Sequence, residues 1–62
     1  MKALVSIGYT YDVDTNSKVG DWVRIPATDY YPSRAVQIVS FDTDYEGYLT
    51  YAPPAPRSLI PQ

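Results

Sequence analysis

Apolar and polar residues alternate along most of this chain with a period of two, the rhythm of strands rather than of helices. Ala3, Val5 and Ile7 alternate with Leu4, Ser6 and Gly8, and Tyr9 and Tyr11 carry the rhythm past Thr10. The pattern predicts one long first strand over residues 3–11, with Ala3, Val5 and Ile7 facing inward. Residues 12–20 hold Asp, Thr, Asn, Ser and Gly, a loop composition. A second strand over residues 21–25 puts Val23 and Ile25 on one face and Trp22 and Arg24 on the other. It stops at Pro26, which has no N–H to give a ladder. After a loop through residues 27–33, residues 34–41 are the best buried-strand candidate, with Val36, Ile38, Val39 and Phe41. Residues 42–47 read as a turn, and Tyr48-Leu49-Thr50-Tyr51 as the strand that completes a hairpin. Pro53-Pro54-Ala55-Pro56 forces an extended crossover, and residues 57–60 form a brief closing strand.

Helix is disfavoured throughout, because six prolines and three glycines cut the chain into runs rich in β-branched residues and tyrosine. Five short strands separated by a long loop, a medium loop, a tight turn and a proline-bearing connection fit a single all-β domain over residues 1–62. The layout is that of a small five-stranded SH3-like barrel with no substantial helix. Closure between the first and last strands answers the exposed-edge problem of so small a sheet.

Composition narrows what such a domain does. The chain has 62 residues, no cysteine and no histidine, which removes disulfides, Cys/His zinc sites and every histidine-based triad. Domains of this size bury only about 60% of the surface that their unfolded chains expose. A ligand pocket of about 300 Å³ would hollow out much of such a core. The expectation is a protein that is not an enzyme and carries no catalytic residue, cofactor or metal. Seven acids against five bases give a net charge of −2, which does not favour a strongly basic nucleic-acid or membrane binder. The apolar run Ala3-Leu4-Val5-Ser6-Ile7 is shorter than a signal-peptide core, and the expected location is the cytoplasm, away from membranes.

Each candidate motif has a plain structural reading. Asp42-Thr43-Asp44-Tyr45-Glu46-Gly47 imitates the first half of a calcium-binding loop, but Pro53 stands where the twelfth-position glutamate belongs. A hairpin turn with Gly47 at positive φ and solvated acids is the favoured reading. Asp12, Asp14, Asp42, Asp44 and Glu46 sit in two loops and read as one acidic rim. Pro53-Pro54-Ala55-Pro56-Arg57 resembles a PxxP ligand core whose arginine stands one position too close, and a stiff connector is preferred. The aromatic residues carry the stronger signal: seven tyrosines, one tryptophan and one phenylalanine exceed the needs of a tiny core. Tyr9, Leu49 and Tyr51 are expected at the core or its rim. Tyr11, Trp22, Tyr30 and Tyr31 are expected to line a groove beside Arg24, a set of residue types enriched at interface hot spots.

Three resemblances add expectations. Lys18-Val19-Gly20-Asp21-Trp22-Val23-Arg24-Ile25-Pro26 is similar to the Gly-x-x-Val-x-Val-Pro strand opening of many SH3-like barrels. Taken with the first strand, Tyr11-Asp12-Val13 and Arg34-Ala35-Val36-Gln37-Ile38-Val39, it resembles the N-terminal DNA-binding domain of the primosomal replication-restart helicase. That family uses a Phe-Asp-Tyr element to hold a DNA 3′ end; the matching positions are Tyr11 and Asp12, with Val13 in place of the last aromatic. More of the chain resembles small SH3-like barrel proteins of actinobacterial phages, through Gly8-Tyr9-Thr10-Tyr11, Gly20-Asp21-Trp22-Val23 and Asp44-Tyr45-Glu46-Gly47. That resemblance implies a phage origin. The leading expectation is a non-enzymatic interaction module that binds a host protein through Trp22, Arg24, Tyr30, Tyr31 and Tyr11. Binding of a DNA 3′ end or single-stranded DNA through Tyr11 and Asp12 is the alternative, and self-association as a structural protein is the third.

Overall fold

The computed structural model describes residues 1–61. Alternation along the chain yields four antiparallel strands: β1 (Lys2–Val5), β2 (Thr10–Asp12), β3 (Trp22–Ile25) and β4 (Arg34–Ser40). They lie in the order β2-β1-β4-β3, one sheet curled into a half-barrel. Among the described residues, no helix is long and apolar enough to cross a membrane.

The expected first strand over residues 3–11 is in fact a hairpin. Gly8 adopts φ +91°, a backbone region that side chains disfavour, and the chain reverses there. The Val5 N–H donates to the Tyr9 carbonyl and the Gly8 N–H to the Val5 carbonyl, each at 2.9 Å. The reversal hides from a period-two reading because the register pairs Ala3 with Tyr11. Both residues therefore stay on the core side, while Lys2 opposite Asp12 and Leu4 opposite Thr10 occupy the other face.

The strand expected over residues 48–51 does not pair with residues 34–41. β4 already has β1 on one edge and β3 on the other, so no edge is free for a hairpin. The chain passes instead to β2, where the Asp12 N–H donates to the Thr50 carbonyl (3.0 Å) and the Ala52 N–H to the Asp12 carbonyl (2.8 Å). It continues to β3: the Arg24 N–H donates to the Pro53 carbonyl (2.8 Å) and the Ala55 N–H to the Trp22 carbonyl (3.0 Å). Residues 50–55 thus span the gap between the two edge strands. Ala55 holds the one backbone N–H in the Pro53-Pro54-Ala55-Pro56 run, and β3 receives it. The closing strand expected over residues 57–60 is a 3-10 helix, Arg57–Leu59. With residues 50–55 already on both edges, the residues after Pro56 have no edge to extend.

The core is aliphatic. Ala3, Val5, Val13, Val23, Ile25, Val36, Ile38 and Ala52 form one buried cluster, with Ile7, Tyr11 and Phe41 packed against it. Val23 faces Val36 in register across the β3–β4 ladder, and Val5 faces Ile38 across β1–β4. Val39, expected to be buried, points outward and is 48% exposed, as strict alternation with Ile38 requires. Val13 and Ala52, which a loop-like composition concealed, complete the core where residues 50–55 meet β2.

Adjacent residues on β4 should therefore respond very differently to truncation. Ile38→Ala is expected to lower the unfolding free energy by about 2–5 kcal/mol, whereas Val39→Ala should cost less than about 1 kcal/mol. Urea unfolding of the two variants checks this; equal losses would contradict the assigned facing of β4.

Candidate functional site: a tyrosine-lined depression

Six of the seven tyrosines are exposed: Tyr9, Tyr30, Tyr31, Tyr45, Tyr48 and Tyr51. Tyr11 alone packs against the core. Tyr9 and Tyr51, expected at the core or its rim, are 65% and 49% exposed.

The residues expected to form one aromatic groove occupy three places. Trp22 and Arg24 are half-buried on the outer face of β3, with Arg24 in register with Ala35. Trp22 borders a shallow depression of about 260 Å³ with Asp21, Pro54 and Ile60. Tyr30 and Tyr31 lie beyond the other end of β3, in the loop between Ile25 and Arg34. There the Thr28 hydroxyl oxygen accepts from the N–H of Tyr30 (3.2 Å) and of Tyr31 (3.0 Å). That local turn leaves both rings in solvent, 88% and 73% exposed. Tyr11 is on β2, at the opposite edge of the sheet order from β3.

Tyr11 has different company. It lines a depression of about 460 Å³ with Tyr9, Tyr45 and Tyr48, and with Thr10 and Thr50. Two elements build it. The β1–β2 hairpin supplies residues 8–11, and the segment leaving β4 crosses over to supply residues 45–50. Two side-chain hydrogen bonds pin that crossing: Lys2 Nζ donates to the Tyr45 carbonyl (2.6 Å), and the Thr10 and Thr43 hydroxyls lie 2.9 Å apart. Gly47 has a role other than the expected turn at positive φ. Its φ is not positive; the Tyr45 ring lies where a side chain at position 47 would stand. A side chain at position 47 would displace the Tyr45 ring from this place. The grouping of Tyr9, Tyr45 and Tyr48 escaped the sequence reading because it depends on where the chain goes after β4. Its local signal, two tyrosines flanking a glycine, is equally that of a hairpin tip.

Charge is distributed unevenly around this site. Asp12, Asp14, Asp42, Asp44 and Glu46 lie on β2, after it, or in the crossing segment, with Lys2 the one base among them. Lys18, Arg24, Arg34 and Arg57 lie on or next to β3 and β4, with Asp21 and Asp29. The net charge of −2 is thus the sum of a −4 sector around the tyrosines and a +2 sector around β3. The Asp12 carboxylate is 2.7 Å from the N-terminal ammonium, and the Lys18 N–H donates to the Asp21 carboxylate at 2.9 Å. Among the described residues, no three His, Cys, Asp or Glu side chains are grouped to hold a metal ion.

Tyr51 ties the acidic sector to the spanning segment. Its hydroxyl donates to the Asp14 carboxylate at 2.8 Å. That hydrogen bond raises the Tyr51 pKa above its ordinary 10.0, with smaller contributions from desolvation and from the charges of Asp14 and Asp12. A raised tyrosine pKa favours the neutral form in the folded state. Its contribution to stability is full below pH 10 and is lost as pH rises through the folded-state pKa. Subtracting the ultraviolet titration of Tyr51→Phe from that of the native chain should isolate a phenol titrating later than the ordinary value. Asp14→Asn should move it back down; an unchanged titration would contradict the hydrogen bond.

No family model, curated protein or solved structure matches this chain.

Proposed function

We propose that the protein is a non-enzymatic interaction module of the SH3-like type that binds a protein partner through its tyrosine-lined depression. The observation that carries this reading is the exposure of six of seven tyrosines on a core made of valine, isoleucine and alanine. Tyrosine offers a large, stiff, amphipathic surface at low conformational cost, and exposed apolar area that the core does not use favours contact with another molecule. The four tyrosines of the depression present such area in one place, on backbone held by the β1–β2 hairpin and the Lys2 and Thr10 contacts. Tyr11, expected to bind the partner, belongs to this set. Trp22, Arg24, Tyr30 and Tyr31 lie outside it and would serve other contacts. The resemblance to phage barrel proteins makes a bacterial host protein the natural partner and the host cytoplasm the place of action.

The acidic surroundings weigh against DNA as the ligand of this depression. Stacking on tyrosine is favourable for any base, but phosphates need cations beside the aromatics. Here the lining residues are uncharged, the acids of β2 and of the crossing segment outnumber Lys2, and Asp12 is engaged by the terminal ammonium.

A pull-down from bacterial lysate tests the reading. Tyr9→Ala combined with Tyr48→Ala should abolish capture of a partner that the native chain retains, and Tyr30→Ala with Tyr31→Ala should leave capture intact. Retention by the first variant would overturn the assignment of the depression. Fluorescence anisotropy with short single strands, free or blocked at the 3′ end, should register no binding at low salt. Binding there that is lost on blocking the 3′ end would instead favour the DNA reading.

A further inference from the structure

The sector of the molecule opposite in charge to the tyrosine depression carries a segment whose chemistry complements it. Pro54, Pro56 and Arg57 are exposed, on a stretch tied to β3 through the Pro53 carbonyl and the Ala55 N–H. Pro56 has φ −67° and ψ 151°, the geometry of a polyproline II helix. Extended proline-rich segments dock on tyrosine-lined surfaces because proline rings stack against aromatic faces and the segment has little conformational freedom left to lose. An adjacent arginine adds attraction where the surface is acidic.

We infer that the Pro54–Pro56–Arg57 face of one copy docks in the Tyr9/Tyr11/Tyr45/Tyr48 depression of a second copy, joining the chains head to tail. The contact matches each chemical feature with its complement. Proline rings meet the tyrosine faces of a depression of about 460 Å³. Arg57 enters a sector where five acids outnumber one lysine. Among the described residues Arg57 has no ion-pair partner within its own chain, and the crossing segment presents exposed Asp44 and Glu46 on either side of Tyr45. Within one chain the two faces belong to different sectors, so each copy offers a free depression and a free proline face. Such an interface is heterologous and propagates into rings or filaments instead of stopping at a symmetric dimer. Its small size places it among weak contacts that require high local concentration.

The inference rests on reading the depression as a docking surface, and sedimentation of the full chain tests it separately. In low-salt buffer the average mass should climb above 7.0 kDa as concentration rises, and fall back when salt screens the Arg57 contacts. Tyr48→Ala and Arg57→Glu should each weaken association by about tenfold or more. Both residues are exposed, so thermal unfolding of the variants should match the native chain. The decisive sample is a mixture: Tyr48→Ala keeps its proline face and Arg57→Glu keeps its depression. Together they should form a dimer that does not grow further, at a concentration where neither associates alone. A mass of 7.0 kDa at every concentration overturns the inference, as does a mixture that behaves like its separate components. Either result leaves the depression's capture of another partner standing, because the Tyr9→Ala and Tyr48→Ala pull-down decides that independently.

Discussion

Four hydrogen bonds made by residues 50–55 bear on nearly everything else in this molecule. Two join the segment to Asp12 on β2 and two join it to Trp22 and Arg24 on β3. Without them the sheet order β2-β1-β4-β3 would leave two strand edges with unpaired backbone groups, a serious liability in a chain this small. The segment also delivers Ala52 to the core beside Val13, Val23 and Ile25. Proline suits the task for a definite reason. Between positions 53 and 56 only Ala55 must place an N–H, and the Trp22 carbonyl takes it. The remaining residues need only supply acceptors or shape, which proline does while reducing the entropy lost on folding.

That closure explains which parts of the architecture were legible in the sequence. The strands β3 and β4 were read within a residue or so of their ends, because Val23, Ile25, Val36 and Ile38 alternate cleanly and Pro26 marks a stop. The inward facing of Ala3 and Val5 was legible for the same reason. The hairpin at Gly8 was not, since pairing Ala3 with Tyr11 preserves the alternation through the reversal. A period of two reports which face a residue occupies, and says nothing about direction. The segment after β4 differs from its expectation for another reason. Whether residues 48–51 fold back depends on whether β4 has a free edge, and that is fixed by β1 and β3, far away in sequence. Proline in the run 53–56 then suggested a connector, although its single N–H sufficed for edge pairing.

The candidate site follows the same division. Surplus tyrosine was evident from composition, and its consequence, aromatic surface outside the core, is what the burial pattern displays. The grouping was not evident. Tyr11, Trp22, Tyr30 and Tyr31 do not form the expected groove, because Trp22 and Tyr30 sit at opposite ends of β3. Tyr45 and Tyr48 reach Tyr9 and Tyr11 only because the chain crosses the β1–β2 hairpin, held by Lys2 and Thr10.

Charge follows from the crossing as well. Asp42, Asp44 and Glu46 stand on the segment that leads from β4 to β2, the strand that carries Asp12. Crossing to β2 brings the two acidic groups into one sector and leaves Arg24, Arg34 and Arg57 in another. Gathering like charges has an electrostatic cost, which solvent exposure and salt keep small. In return the molecule acquires two faces of opposite character. Under the proposed reading, discrimination between partners would come from the pattern of charge around the aromatic contact, because a shallow depression offers little depth in which shape alone could select.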